Sequence, residues 1–484
     1  MTENGIFLNL FYSFTKLSQS AYIISFLLIP YIVKIFSFQS LGDSMSISKL
    51  KVDVIVLVIS NLVIGLIDFI FNIYCSQIFG PEGMGLISIV SPINCIFMSL
   101  ITEGIVVTLS KIVAGQNYRN NQKDILVTLK ISSISLFLWG SFIAFVLFSS
   151  AKFIANNFLG DSLLAYPIMA ACPLIMLMSI SNVFKGYFLG LNKIKIPAFI
   201  NIGEKIFRYP ILFLLIKLLL NRSSFPNITL VYICYSIGEL FSVILLAVYC
   251  NYVKAKGIDY VIDRSAISAN LKRIIKGALP LCLTNCLLDF TNAFSSILVK
   301  SRLISIGYSY NESLALLGKY KGMVFPLMAY PMIIIGSISS VIIPRMSTII
   351  SLGNEKYAKI LIFKVLGIAL LIGVFTSLVY FAFADQIGFF LYHRCDLTHM
   401  IRLTGLLAPL LYTANCTNSV LISMGKEHIS FKNSFLQQTI LLICLIIFTS
   451  IPSINIYGYI IALLISNIVL LSMNLHEIYM AFYR

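Results

Sequence analysis

Long apolar runs alternate with short polar, basic turns along almost the whole chain. The runs near 53–78, 85–110, 125–149, 162–188, 197–220 and 227–253 are each long enough to cross a bilayer as a helix, which takes about 20 mostly apolar residues. A polar, basic stretch follows, "NYVKAKGIDYVIDRSAISANLKRIIKGA". Six more runs lie near 276–299, 320–344, 360–384, 398–423, 431–451 and 456–480. The pattern predicts an all-α polytopic membrane protein with about twelve transmembrane helices in two sets of six. Strands of a membrane barrel would instead show alternating segments of about 10 residues. The expected organisation is a six-helix lobe over 52–253, a cytoplasmic linker over 254–275 and a second six-helix lobe over 276–484.

Loop charge sets the expected orientation. If the helix near 53–78 starts in the cytoplasm, the inner loops hold most of the cations, including Lys111, Arg119, Lys123, Lys185, Lys193, Lys195, Lys272, Arg273 and Arg345. The outer segments hold only Lys152, Lys217, Arg222, Lys300, Arg302, Lys319, Lys321, Arg394 and Arg402. Positive loops stay in the cytoplasm, so both termini are expected on the cytoplasmic side. Residues 1–51 fit this scheme poorly, because "SAYIISFLLIPYIVKIF" is short and broken by Pro30 and Lys34. A translation start at Met45 removes the difficulty. Gly42-Asp43 can be encoded as GGAGAT, which resembles a bacterial ribosome-binding site. The segment 1–51 is therefore expected to be an extension outside the fold.

The two halves echo one another. Pro92 precedes Lys111 by the spacing at which Pro326 precedes Arg345. Pro173 and Asn182 are spaced like Pro409 and Asn418, and both helices close on a glycine, Gly190 or Gly425. Six spans per half make these parallel repeats about an axis along the membrane normal, with a central cavity between the lobes. Gly186 and Gly190 share a helix face, where small residues allow a close neighbour.

Composition agrees. The chain is 59% hydrophobic and 11% charged, with a mean hydropathy of +0.94; soluble domains carry about 25% charged residues. A net charge of +16 would suggest nucleic acid for a soluble protein. Here the positive-inside bias accounts for it, and no nucleic-acid partner is expected. The ten cysteines are scattered through apolar runs without zinc-type spacing, so they read as packing residues. No phosphate-binding loop or metal cluster occurs, and His393, His399, His428 and His476 are isolated. No enzyme activity, cofactor or metal is expected.

The segments "FGPEGMGLISIVSPI", "EGIVVTLSKIVA", "FKGYFLGLNKIKIPAFINIGEKIFR", "KSRLISIGYS" and "GKYKGMVFPLMAYP", in this order, resemble the stage V sporulation protein B-like, polysaccharide-transport family. That family belongs to the multidrug/oligosaccharidyl-lipid/polysaccharide exporter superfamily. The resemblance runs from about residue 52 onward. It implies two lobes around a V-shaped cavity and flipping of a lipid-linked oligosaccharide by alternating access. The substrate class it implies is an undecaprenyl-diphosphate-type cell-wall, spore-cortex or exopolysaccharide precursor. Membrane lipids and a coupling H+ or Na+ are the other implied partners. Many relatives read S-R-x-x-G on the first helix; aligned on "GPEG", Gly65 takes the arginine position and Asp68 the glycine position. Many also carry two further helices at the carboxyl end. A cation-coupled multidrug antiporter on the same fold, and a non-transporting cell-wall scaffold, are the competing readings.

Ionisable groups inside a bilayer cost roughly 2.5–3.5 kcal/mol each, so they usually face a cavity or a partner. Glu204 and Arg208 lie i, i+4. Either they neutralise one another, or Arg208 offers a fork to a phosphate with Glu204 holding it. Lys205 lies between them. Arg302, Lys111 and Arg345 are further candidates for substrate contact, Lys111 and Arg345 doubling as topological anchors. Asp68, Glu103, Glu239 and Asp289 are the candidates for ion coupling. Asp68, Glu103 and Asp289 have no partner nearby in sequence; pairing with Arg208 or Arg302 across the cavity is the alternative.

Overall fold

The computed structural model describes residues 46–119, 121–219, 227–253, 264–351 and 355–483. Residues 1–45, with the Met45 question, lie outside it, as does the linker segment 254–263. Among the described residues there is helix and turn but no strand. Seven helical segments are long and apolar enough to cross a membrane. The protein is an all-α, multi-pass membrane protein.

The first half runs α1 (Ser46–Ser99), α2 (Glu103–Tyr118), α3 (Gln122–Ile154), the short α4 (Ala165–Ala170), α5 (Cys172–Gly190), α6 (Lys195–Leu219) and α7 (Thr229–Val253). The second half runs α8 (Arg264–Ser305), α9 (Tyr310–Leu317), α10 (Phe325–Ser351), α11 (Glu355–Ala382), α12 (Ala384–Tyr392), α13 (Thr398–Gly405), α14 (Ala408–Ser423), α15 (Glu427–Phe448) and α16 (Tyr457–Tyr483). α6 is long enough to span, but Glu204, Lys205 and Arg208 interrupt its apolar run.

Several boundaries differ from the sequence pattern. The predicted turn after 78 is a kink within α1 at Gly80, whose φ of 64° only glycine adopts freely. The single helix expected over 85–110 breaks at Leu100–Thr102. Its freed Ile101 carbonyl accepts from Asn182 Nδ2 at 2.8 Å, so the break leaves no orphan acceptor there. The helix expected from 320 begins at Tyr310, under a capping box made by Ser309 and Glu312. The linker was expected to end at 275, whereas α8 already begins at Arg264. Turns of wider π type follow α3, at Ala155–Leu159, and separate α9 from α10, at Gly318–Val324; such turns often mark functional positions.

The fourth long helix of each half has matching neighbours. α5 packs on α2, α3 and α7, and α14 packs on α10, α11 and α16. α1 is the hub between the halves, touching α8, α9, the 318–324 turn and α10. Glycines set the close approaches. A Cβ on Gly190 would lie 2.6 Å from Val113 Cβ, and one on Gly186 2.9 Å from Leu109 Cβ. Across the halves, Gly85 meets the Leu314 carbonyl and Gly318 meets the Pro81 carbonyl, leaving no room for a side chain. Phe142, Phe145 and Phe148 of α3 stay exposed, as a lipid-facing surface requires.

Gly190→Leu should therefore force α5 off α2, at an overpacking cost of about 1–3 kcal/mol. Gly336→Ala, where nothing lies within 4 Å, should leave the melting temperature in detergent unchanged. Equal melting of the two variants would contradict the packing described.

Candidate functional site

α6 carries three ionic side chains on adjacent faces, because Glu204, Lys205 and Arg208 fall within little more than one turn. Each finds a partner. Arg208 Nη2 bonds Glu204 Oε1 along the helix. Lys205 Nζ reaches α1, at 2.9 Å from Asp68 Oδ1 and 3.0 Å from Oδ2. A third pair lies behind these, Lys185 Nζ of α5 at 3.6 Å from Glu239 Oε1 of α7. Glu204 and Glu239 are buried. Asp68, whose side chain keeps 46% exposure, is the open member of the set.

These groups wall a cavity of about 280 Å³ between α1, α6 and α7, lined by Asp68, Asn72, Lys205, Arg208 and Tyr235 among others. Arg208 is held on several sides. Its guanidinium carbon lies 4.5 Å above the Tyr235 ring, a favourable cation–π distance. Gly238 leaves the space that the Arg208 stem and Nε occupy. The Arg208 Nε is buried without a hydrogen-bond partner, so one edge of the fork is uncommitted. Tyr209, next along, donates to the Ile67 carbonyl at 2.7 Å and ties α6 to α1 beside Asp68.

Asp68 pairs with Lys205, on the helix that also carries Arg208. The structure thus brings Asp68, Glu204, Arg208 and Glu239 into one ionic cluster. The other candidates stand apart. Lys111 is exposed on α2. Arg302 occupies the last turn of α8, not a loop beyond it. Asp289 is half-buried on α8. The side chains of Glu103 and Arg345 lie outside the described residues.

Two cations escaped the sequence reading. Lys185 looks like a loop charge, yet it turns inward to Glu239. Lys321 was assigned to an outer loop. It sits in the 318–324 turn, about 16 Å along the helix from Tyr310 at 1.5 Å per residue. Its ammonium donates to Ser296 Oγ at 2.7 Å, Ser295 Oγ at 3.1 Å and the Asn292 carbonyl at 3.3 Å. The Tyr459 ring lies 5.2 Å away. No carboxylate is among these contacts. The S-x-x-E of Ser309–Glu312 was the available signal that the helix starts early and carries Lys321 inward. Outside the spans, Asp396 pairs with Lys319 at 2.7 Å and Arg394 at 3.0 Å. Partial burial raises its carboxyl, but these two cations outweigh that and hold it below the usual range.

Lys185→Met should take the paired cation from buried Glu239, costing up to about 3–5 kcal/mol. Adding Glu239→Gln should recover most of that loss in thermal scans. A double variant as unstable as the single one would contradict the pairing.

Comparison with known proteins follows the same lines. The family model for "polysaccharide biosynthesis protein" matches residues 50–350. Stage V sporulation protein B of Bacillus subtilis (strain 168) is 22% identical over 411 residues, 84% of this chain and 78% of that protein. Sporulation protein YkvU of the same organism is 22% identical over 348 residues, 70% of this chain and 74% of that one. Among solved structures, an inward-facing multidrug resistance MATE family transporter of the MOP superfamily superposes with a TM-score of 0.69 at 14% identity, covering 88% of this chain and 98% of that one. A MOP superfamily transporter from Pyrococcus furiosus, described as having a binding pocket of reverse polarity, gives 0.64 at 15% identity, covering 91% and 99%. These likenesses establish a shared fold.

Proposed function

The chain belongs to the polysaccharide biosynthesis protein family, and on that premise we propose that it is a flippase for a lipid-linked oligosaccharide. The substrate class is an undecaprenyl-diphosphate-type precursor of cell wall, spore cortex or exopolysaccharide. The two sequence halves, 52–253 and 276–484, act as six-helix lobes of about twelve spans in all, moving by alternating access in a bacterial plasma membrane with both termini cytoplasmic. Bond-making chemistry has no part in this reading.

The observation that carries it is a pair of incompletely committed cations, one in each half. Arg208 lines the first-half cavity, and its buried Nε has no hydrogen-bond partner. Lys321 is held in the second half by neutral oxygens and a ring. A diphosphate offers charged acceptors that bind such donors about twice as strongly as neutral ones do. Neutral oxygens and a ring are partners that an ammonium gives up readily, so Lys321 can exchange them for phosphate. Gly65, at the position where many relatives carry arginine, contributes no cation; it abuts Ile333 of α10. Lys205 and Arg208 supply positive charge to the first-half cavity instead. Their carboxylate partners keep that cavity neutral when empty.

Coupling fits the same geometry. Asp68 is the most exposed of the three paired carboxylates, and H+ or Na+ arriving there would release Lys205 to the substrate. Glu239 is buried behind its lysine and holds the cluster together. The exposed Asp68 also gives the second reading its footing, a cation-coupled multidrug antiporter, since a carboxylate in a cavity suits a cationic drug.

In vesicles, flipping of a fluorescent undecaprenyl-diphosphate-linked sugar should fall at least about tenfold in Arg208→Ala and in Lys321→Ala, from the loss of a hydrogen bond to a charged group. Flipping unchanged in both variants would overturn the substrate assignment. Proton-driven export of an organic cation, abolished in Asp68→Asn, would favour the antiporter.

A further inference from the structure

One cation of the bundle faces neither the first-half cavity nor the Lys321 pocket. Lys300 lies near the end of α8 and is 5% exposed. Its ammonium donates to the carbonyl of Leu159, in the first half. Leu159 ends the π turn that closes α3, where Gly160 turns the chain with φ 69°. The last carbonyls of a helix have no partner within it and carry its negative end. The buried ammonium is balanced there by these carbonyls and by the nearby Asp161 carboxylate. Tyr310, the first residue of α9, places its ring 5.1 Å from the same ammonium. The Tyr310 hydroxyl donates to Asp161 Oδ2 at 3.4 Å. Asp161 also accepts from the Leu163 N–H at 2.9 Å, which keeps its carboxylate in place.

We propose that Lys300 and Tyr310 form a latch that closes the two halves of the bundle on one another at this end, the end that loop charge assigns to the outside. The latch joins Leu159 and Asp161 of the first half to Lys300 and Tyr310 of the second. Every member of it is polar, so each regains water when the halves part. Close by, Gly85 and Gly318 bring backbone against backbone, and buried apolar side chains of both halves, among them Leu159, Leu164, Val299 and Leu303, share one core cluster. The closed end is thus held by apolar packing together with the directional contacts of the latch. The directional contacts are the part of this interface that a carrier can break and remake as a gate opens and closes. The use of such a gate rests on the transporter reading; its existence does not.

The latch is tested by a distance between spin labels at Ser162→Cys and Asn311→Cys, both exposed positions. The background carries Cys395→Ser, which removes an exposed native thiol, and the protein is held in nanodiscs without substrate. The parent should show one short, narrow distribution. Lys300→Met should raise the long-distance population about tenfold, as expected for loss of a charge-assisted bond. Lys300→Arg, which keeps charge and donors, should stay close to the parent. Parent-like distances in Lys300→Met overturn the latch. So does an equal opening in Lys300→Met and Lys300→Arg, which would mean packing alone. Should Lys300→Met fail to fold, Tyr310→Leu carries the same test at a half-buried site. Opening without any flipping of lipid-linked sugar refutes the substrate and keeps the latch; flipping with unaltered distances does the reverse.

Discussion

Three cations enter the first half of the bundle, and each meets a carboxylate: Lys185 with Glu239, Lys205 with Asp68, Arg208 with Glu204. Moving such charges out of water is costly unless geometry and hydrogen bonds compensate. That constraint dictates how α1, α5, α6 and α7 sit together. α6 must face α1 for Lys205 to reach Asp68. α7 must face α5 for Lys185 to reach Glu239, and Gly238 must be small for Arg208 to lie across Tyr235. The ionic cluster is therefore both the cement of the first half and its only charged surface toward the described cavity. A site that is neutral at rest and cationic once Asp68 is satisfied elsewhere is suited to taking up and releasing an anion.

The second half solves the problem differently. Lys321 is held by hydroxyls, a carbonyl and a ring. Its deeper polar side chains are neutral and bonded to one another. Asn474 Nδ2 donates to Thr417 Oγ1 and Asn418 Oδ1, and Asn433 Nδ2 donates to Asn474 Oδ1. The sequence repeat thus places like residues to unlike ends. Asn182 serves the broken helix at Ile101, while its counterpart Asn418 joins an amide network. α10 has no matching break; its Pro331, which lacks an N–H, instead frees the Leu327 carbonyl, and that carbonyl accepts from the Tyr380 hydroxyl.

The helices were legible because bilayer thickness imposes a run length that no other fold class shows. The Glu204–Arg208 pair was legible because both lie on one helix at i, i+4. The remaining pairs were not. Asp68 and Lys205 are brought together by the packing of α6 on α1, and hydrophobic periodicity does not say which helices become neighbours. Lys185 and Lys321 were misread as loop charges, since a lysine near a helix end looks alike whether it points to solvent or inward. The break at 100–102 and the π turns depend on partners such as Asn182 that only the folded bundle supplies. Gly80 falls between the apolar runs near 53–78 and 85–110, where a turn is expected, and is a kink within a continuing helix.

The central claim is that phosphate charge, recognised by one cation from each half, selects the ligand. Binding of soluble short-chain polyprenyl diphosphate and of the matching monophosphate to the purified protein tests it most directly, by titration calorimetry at fixed ionic strength. The account predicts that the diphosphate binds at least about tenfold more tightly, the worth of one further charge-assisted contact. Equal affinity for the two lipids, or binding of neither, would contradict it.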